Sequence, residues 1–270
     1  MLHLLKIEWL KVKNYRTFWI LLILIAVSVP ASIYMGFDIS NNSLGKQGKQ
    51  MQQMILGRPF SFPAIWQTGA WIASLILFIP SLLIITITTN EYTFKTHRQN
   101  IIDGLSRTQF ISVKIIEVLI LALFVSLLLF GSCVWVGSLA TETGNTHGMF
   151  ENIKQVGYFY IEATSYLMLA FLLSILIKRA GLVLGIFFLY SIILEEIFVG
   201  LARRYANNIG RFLPLETTDQ LTPSPFSRLL KTADDISGWE KLLPVFLSLS
   251  LVYFIAYIVF SVYSFRTKDL

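Results

Sequence analysis

Long apolar runs alternate with short polar stretches along this chain, and each run is about the length a helix needs to cross a bilayer. The blocks fall at residues 17–36, 67–89, 114–140, 155–177, 181–200 and 242–264. About twenty residues at about 1.5 Å each cross roughly 30 Å of hydrocarbon. The pattern predicts an all-α polytopic membrane protein, one transmembrane domain over residues 1–270 with six spans. The first sixteen residues, MLHLLKIEWLKVKNYR, place Leu2, Leu5, Trp9 and Val12 on one helical face, flanked by Lys6 and Lys13. That is the pattern of an interfacial helix. Because Leu4, Ile7 and Leu10 occupy other faces, an extended start to the first span is the alternative. The block at 17–36 is too long for a signal-peptide core and lacks a small-x-small cleavage site, so it reads as a retained span. Pro80 predicts a kink in the second block. Pro59 and Pro63 argue against continuous helix in the loop before it.

Between the second and third blocks lies the polar segment 90–113. Residues 95–102 read as a short helix, and Asp103-Gly104 supplies its stop, since glycine takes a left-handed conformation without a Cβ penalty. Ser106-Arg107-Thr108-Gln109 has the S-x-x-Q form of a capping box before the apolar run. Residues 178–180 form a tight turn between the fourth and fifth spans. The longest polar insertion, 201–241, precedes the sixth.

Composition agrees with this class: 55% of the 270 residues are hydrophobic and 14% charged, with a mean hydropathy of +0.65. Charge adds orientation. The N-terminal arm carries four cations (Lys6, Lys11, Lys13, Arg16), the central segment with the start of the third block four (Lys95, Arg98, Arg107, Lys114), the tight turn two and the tail two. The short loops on the other side carry Lys46, Lys49, Arg58 and Lys154. The positive-inside rule therefore puts both termini and the central segment in the cytoplasm. The net charge of +6 reads as this bias and not as a nucleic-acid footprint. The single cysteine, Cys133, allows no intrachain disulfide.

Candidate chemistry is sparse. The pairs Gly45-Lys46 and Gly48-Lys49 are followed by Gln and lack the upstream glycine of a phosphate-binding loop, so the chain has no such route to nucleotide hydrolysis. His3, His97 and His147 are too scattered to suggest a metal site. Ionisable groups inside spans are costly and face protein or water. Glu117 sits within a turn of the third span's cytoplasmic end, where solvated placement is expected. Glu162, Glu195 and Glu196 lie toward the outer side. They read either as a proton or cation path or as groups facing an outer vestibule or pairing with Arg203 and Arg204.

The ordered combination of these features resembles the permease subunits of type-2 ATP-binding-cassette exporters. A basic arm, MLHLLKIEWLKVKNYRTFW, leads into the first span. Glu91 opens E-Y-T-F-K-T-H-R-Q, which runs to Gly104-Leu105-Ser106-Arg107 and Lys114, and a large external segment precedes the last span. The resemblance implies that residues 93–103 form a coupling helix seated in a separately encoded cytoplasmic ATPase. The contact would involve Glu91, Thr93, Phe94, Lys95, Thr96, His97, Arg98, Gln99, Gly104, Ser106 and Arg107. An elbow helix with Leu5, Trp9 and Val12 would lie beside it. The resemblance also implies a second permease chain, ATP and Mg on the partner but no cofactor on this chain, and a bacterial cytoplasmic membrane. The expected activity is outward movement of an amphipathic or apolar compound: a drug, a peptide antibiotic or a lipid. The alternative is an ion-coupled transporter or channel using Glu162, Glu195 and Glu196. A third class is a non-transporting membrane anchor.

Overall fold

A computed structural model describes residues 2–43, 57–96, 99, 102, 104–141, 148–205, 209–225 and 233–267, with backbone only at 2–3, 43 and 233–240. Among the described residues every regular element is helical. Helix α1 is Leu2–Val12 and α2 is Arg16–Asp38, continued by a π turn at Ile39–Ser43. Tyr15, extended between α1 and α2, makes α1 a separate helix and not the start of the first span. The second block is broken into α3, Ile65–Ser74, and α4, Phe78–Thr93, bent by 45°. Pro80 accounts for the break. It has no N–H to give Ile76, and the joint is closed instead by tighter bonds such as Ile76 N–H to Ala73 O and Ile79 N–H to Ile76 O.

Helix α5, Arg107–Ala140, has 34 residues and is about 51 Å long, so it exceeds the thickness of a hydrocarbon core. Helix α6 is Lys154–Ile177. Lys178 ends it in the left-handed region at φ 61°. Helix α7, Ala180–Phe188, runs through a π segment, Leu189–Leu194, into α8, Glu195–Tyr205. A 3₁₀ turn at Ile209–Phe212 and the short α9, Pro214–Asp219, precede α10, Ala233–Thr267. Among the described residues five helices are long and apolar enough to span a membrane, or six with the bent α3–α4 pair taken as one span.

Helix α6 is central, packed by α3, α4, α5, α7, α9 and α10. Its buried small residues Ala163, Ser165, Ala170 and Ser174 let those neighbours approach closely. The Ser174 and Thr164 hydroxyls bond back to Ala170 O and Tyr160 O at 2.7 Å each, so the core leaves neither unpaired. Phe159, Phe171 and Phe187 are fully buried around α6. Large exposed apolar side chains on α2, α5, α7, the π segment, α8 and α10 form the outer belt, among them Ile23, Leu127, Ile192 and Phe260.

Candidate functional site

The segment between α4 and α5 is exposed at its tip and tightly held at both roots. Thr96, Gln99 and Ile102 are helical. Thr93, Phe94, Lys95, Gln99 and Ile102 are exposed, Phe94 by 67% and Ile102 by 83%. His97, Arg98 and Asp103 lie outside the described residues. Lys95 takes a left-handed φ of 56° and Gly104 one of 98°, so a reversal of backbone hand brackets the segment at each end. At Gly104 the glycine tolerates it without cost, whereas Lys95 does so against its Cβ. Ser106 then caps α5: its Oγ accepts from Gln109 N–H at 3.2 Å, and Gln109 Oε1 accepts from Ser106 N–H at 3.0 Å. This starts α5 seven residues before the apolar block at 114.

Behind that tip, five charged side chains from three elements meet. Lys114 Nζ on α5 lies 2.6 Å from Glu8 Oε2 on α1, 2.7 Å from Glu91 Oε1 on α4 and 3.1 Å from Glu117 Oε2 one turn along. Lys11 adds contacts of 2.5 Å to Glu8 Oε1 and 3.7 Å to Glu91 Oε1. Only 2% of the Lys114 side chain reaches solvent. Burial by itself would raise the Glu8 pKa, but Lys114 and Lys11 outweigh it and hold the carboxyl below its ordinary value. The cluster binds the elbow to both roots of the exposed segment.

Two further contacts extend this hold. Arg107 Nη1 donates to the carbonyls of Arg266 at 2.6 Å and Phe265 at 3.4 Å, which takes up acceptors that the end of α10 leaves unsatisfied. Phe110 stacks on Phe265 with centroids 4.9 Å apart. Lys178, in the α6–α7 turn, sits 5.3 Å over the Tyr92 ring. The roots of the tip are thus joined to α1, the α6–α7 turn and α10.

A family profile for ABC-2 family transporter proteins matches residues 4–194. The chain belongs to the ABC-2 transporter family. It is a permease, the membrane component and not itself the ATPase. No curated protein matches it.

In the permease, α1 faces the protein differently from the apolar stripe read in the sequence. Among its described side chains Glu8 is the buried one, Leu5 and Val12 are half-buried, and Trp9 is 49% exposed. Trp9 packs edge-on against Phe18 and Trp19 at 6.2 and 6.1 Å, and Trp19 Nε1 donates to Lys13 O at 2.7 Å. This aromatic corner fixes the angle between α1 and α2. Glu8 carried no signal in the sequence, because its partner Lys114 is 106 residues away. Glu117, expected in solvent, is half-buried and paired.

The three outer glutamates do not form one group. Glu162 is 1% exposed and accepts a short hydrogen bond from Thr222 Oγ1. Glu195 Oε1 accepts the backbone N–H groups of Leu215 and Glu216 at 2.8 and 2.9 Å. Glu196 is exposed. Among the described residues none of the three pairs with Arg203 or Arg204. Glu162 and Glu195 instead hold residues 209–225 against the bundle, together with Gln67 Nε2 to Pro223 O at 3.2 Å and Tyr253 OH to Phe212 O at 2.6 Å. Leu215, Thr217, Thr218 and Leu221 are fully buried there. Part of the polar insertion is thus a packed cover. Among the described residues no group of three or more His, Cys, Asp and Glu could hold a metal ion.

Proposed function

We propose that this permease is driven by a separately encoded ATPase seated on the segment 93–104, and that it moves an amphipathic or apolar compound outward. The observation that carries this reading is the buried charge cluster at the root of that tip. A nucleotide-driven partner can do work on the spans only through an element rigidly joined to them. Lys114 and its carboxylates supply that joint, and Arg107 extends it to α10. The tip offers Phe94 and Ile102 as apolar anchors and Lys95 as a cation, a mixed surface suited to a protein groove. ATP and Mg stay on the partner. Two such chains would enclose the path, with both termini in the cytoplasm of a bacterial inner membrane, in keeping with the distribution of Lys and Arg. Switching between inward- and outward-open packing of the bundle then moves the cargo. The ion-coupled alternative has less support, because Glu162 and Glu195 are engaged in holding the cover and Glu196 stands apart.

Co-purification with the ATPase tests this, using Lys95→Glu combined with Ile102→Asp. The pair should abolish ATPase recovery while the permease still reaches the membrane. Retention of the ATPase by this variant, with transport lost on Glu162→Gln, would overturn the proposal in favour of ion coupling.

A further inference from the structure

At the end of the bundle away from the elbow, carboxylates gather where the cover at 209–225 meets the spans. On α6, Tyr166 points its hydroxyl at both carboxylate oxygens of Asp219, 3.1 Å from each. Glu162, one helical turn away on the same face, lies against Asp219 and also approaches Ser74. From α8, Glu195 adds a carboxylate whose charge is met by two backbone N–H groups. On α9 itself, Glu216 is bonded to Gln220 Nε2 at 2.5 Å. Tyr190 from the π segment and Tyr253 and Tyr257 from α10 contribute only hydroxyls beside Glu195. Arg203, Arg204 and Arg211 form no ion pair with Glu162, Glu195 or Asp219 among the described residues.

Glu195 Oε1 is met by two backbone N–H groups, whereas Glu162 and Asp219 accept from the hydroxyls of Thr222 and Tyr166 and, among the described residues, pair with no cation. Two ionised carboxylates pressed together in a buried site repel strongly, and the docked arrangement is stable when one proton lies between them. We propose that docking of residues 209–225 takes up a proton shared by Glu162 and Asp219, so that this cover closes on protonation and opens on its loss. By linkage, any process that opens the cover must also release a proton at that end of the bundle. Burial, and then the charges of Glu162, Glu216 and Glu195, push the Asp219 pKa well above its ordinary value of 3.8. The docked state therefore binds the proton more tightly than the open one. Docking is at full strength below the ordinary aspartate range and fades as pH rises through the raised value. Proton uptake by the cover is independent of whether an ATPase drives the bundle.

Hydrogen exchange of the full chain in lipid nanodiscs, corrected for intrinsic rates between about pH 5 and about pH 9, tests it. Protection of amides 215–222 should fall with rising pH, by up to about tenfold per unit, while amides 167–171 of α6 hold constant. Glu162→Gln and Asp219→Asn should each flatten that dependence. Tyr166→Phe removes a donor that favours ionised Asp219, so it should move the midpoint to higher pH. Wild-type protection independent of pH would overturn the proposal, as would an unchanged slope in both amide variants. Should those variants not fold, a Tyr166→Phe midpoint that stays in place or moves down would overturn it equally.

Discussion

Lys114 answers to three carboxylates on three helices, and its surroundings make single changes there informative. Lys114→Met would take from Glu8, Glu91 and Glu117 the buried cation they share. Breaking a buried ionic contact from one side costs about 3–5 kcal/mol, so we expect a large fall in the melting temperature of the detergent-solubilised protein. Glu8 carries a pH dependence of the opposite sense to the far cover. Its pKa is depressed, so its contribution is present above the ordinary glutamate range and disappears as pH falls through the lowered value. Tryptophan fluorescence from the Trp9–Trp19 corner should report the elbow loosening on acidification, and Glu8→Gln should lose that transition. Close packing gives a further test. A Cβ on Gly69 would collide with Cys133 Sγ. Gly69→Ala should cost about 1–3 kcal/mol, and Cys133→Ala should recover part of it in a thermal melt.

Elements were legible where local grammar sets them and obscure where packing does. The S-x-x-Q motif marks the start of α5 because its reciprocal hydrogen bonds span only three residues. Gly104 reads as a stop for a similarly local reason. Lys95 does not, since nothing in a lysine announces a left-handed φ of 56°. The short α9 was invisible as well, because its burial depends on Glu162 and Glu195 from distant spans. The Ser106 cap can be tested by Ser106→Ala, which should cost about 1 kcal/mol. It should also speed hydrogen exchange over 107–110 and weaken the hold of Arg107 on the end of α10. Lys95→Gly should stabilise by about 1 kcal/mol through relief of the left-handed strain, read as a rise in melting temperature.

For the whole molecule, the apolar blocks of twenty residues made the membrane class and span number readable, because bilayer thickness fixes helix length. Periodicity could not reveal that the 201–241 insertion folds back on the bundle, or that five charges converge behind the tip. Those depend on which helices pack together. Under the proposed function, work enters the bundle at the segment 93–104. A photoreactive benzoyl-phenylalanine placed singly at Gln99 or Ile102, with Trp135 on the exposed surface of α5 as the control, measures this directly in intact membranes. We expect crosslinks to the ATPase subunit from Gln99 and Ile102 and none from Trp135. An ATPase crosslinked through Trp135, or through no residue of the tip, would contradict the account.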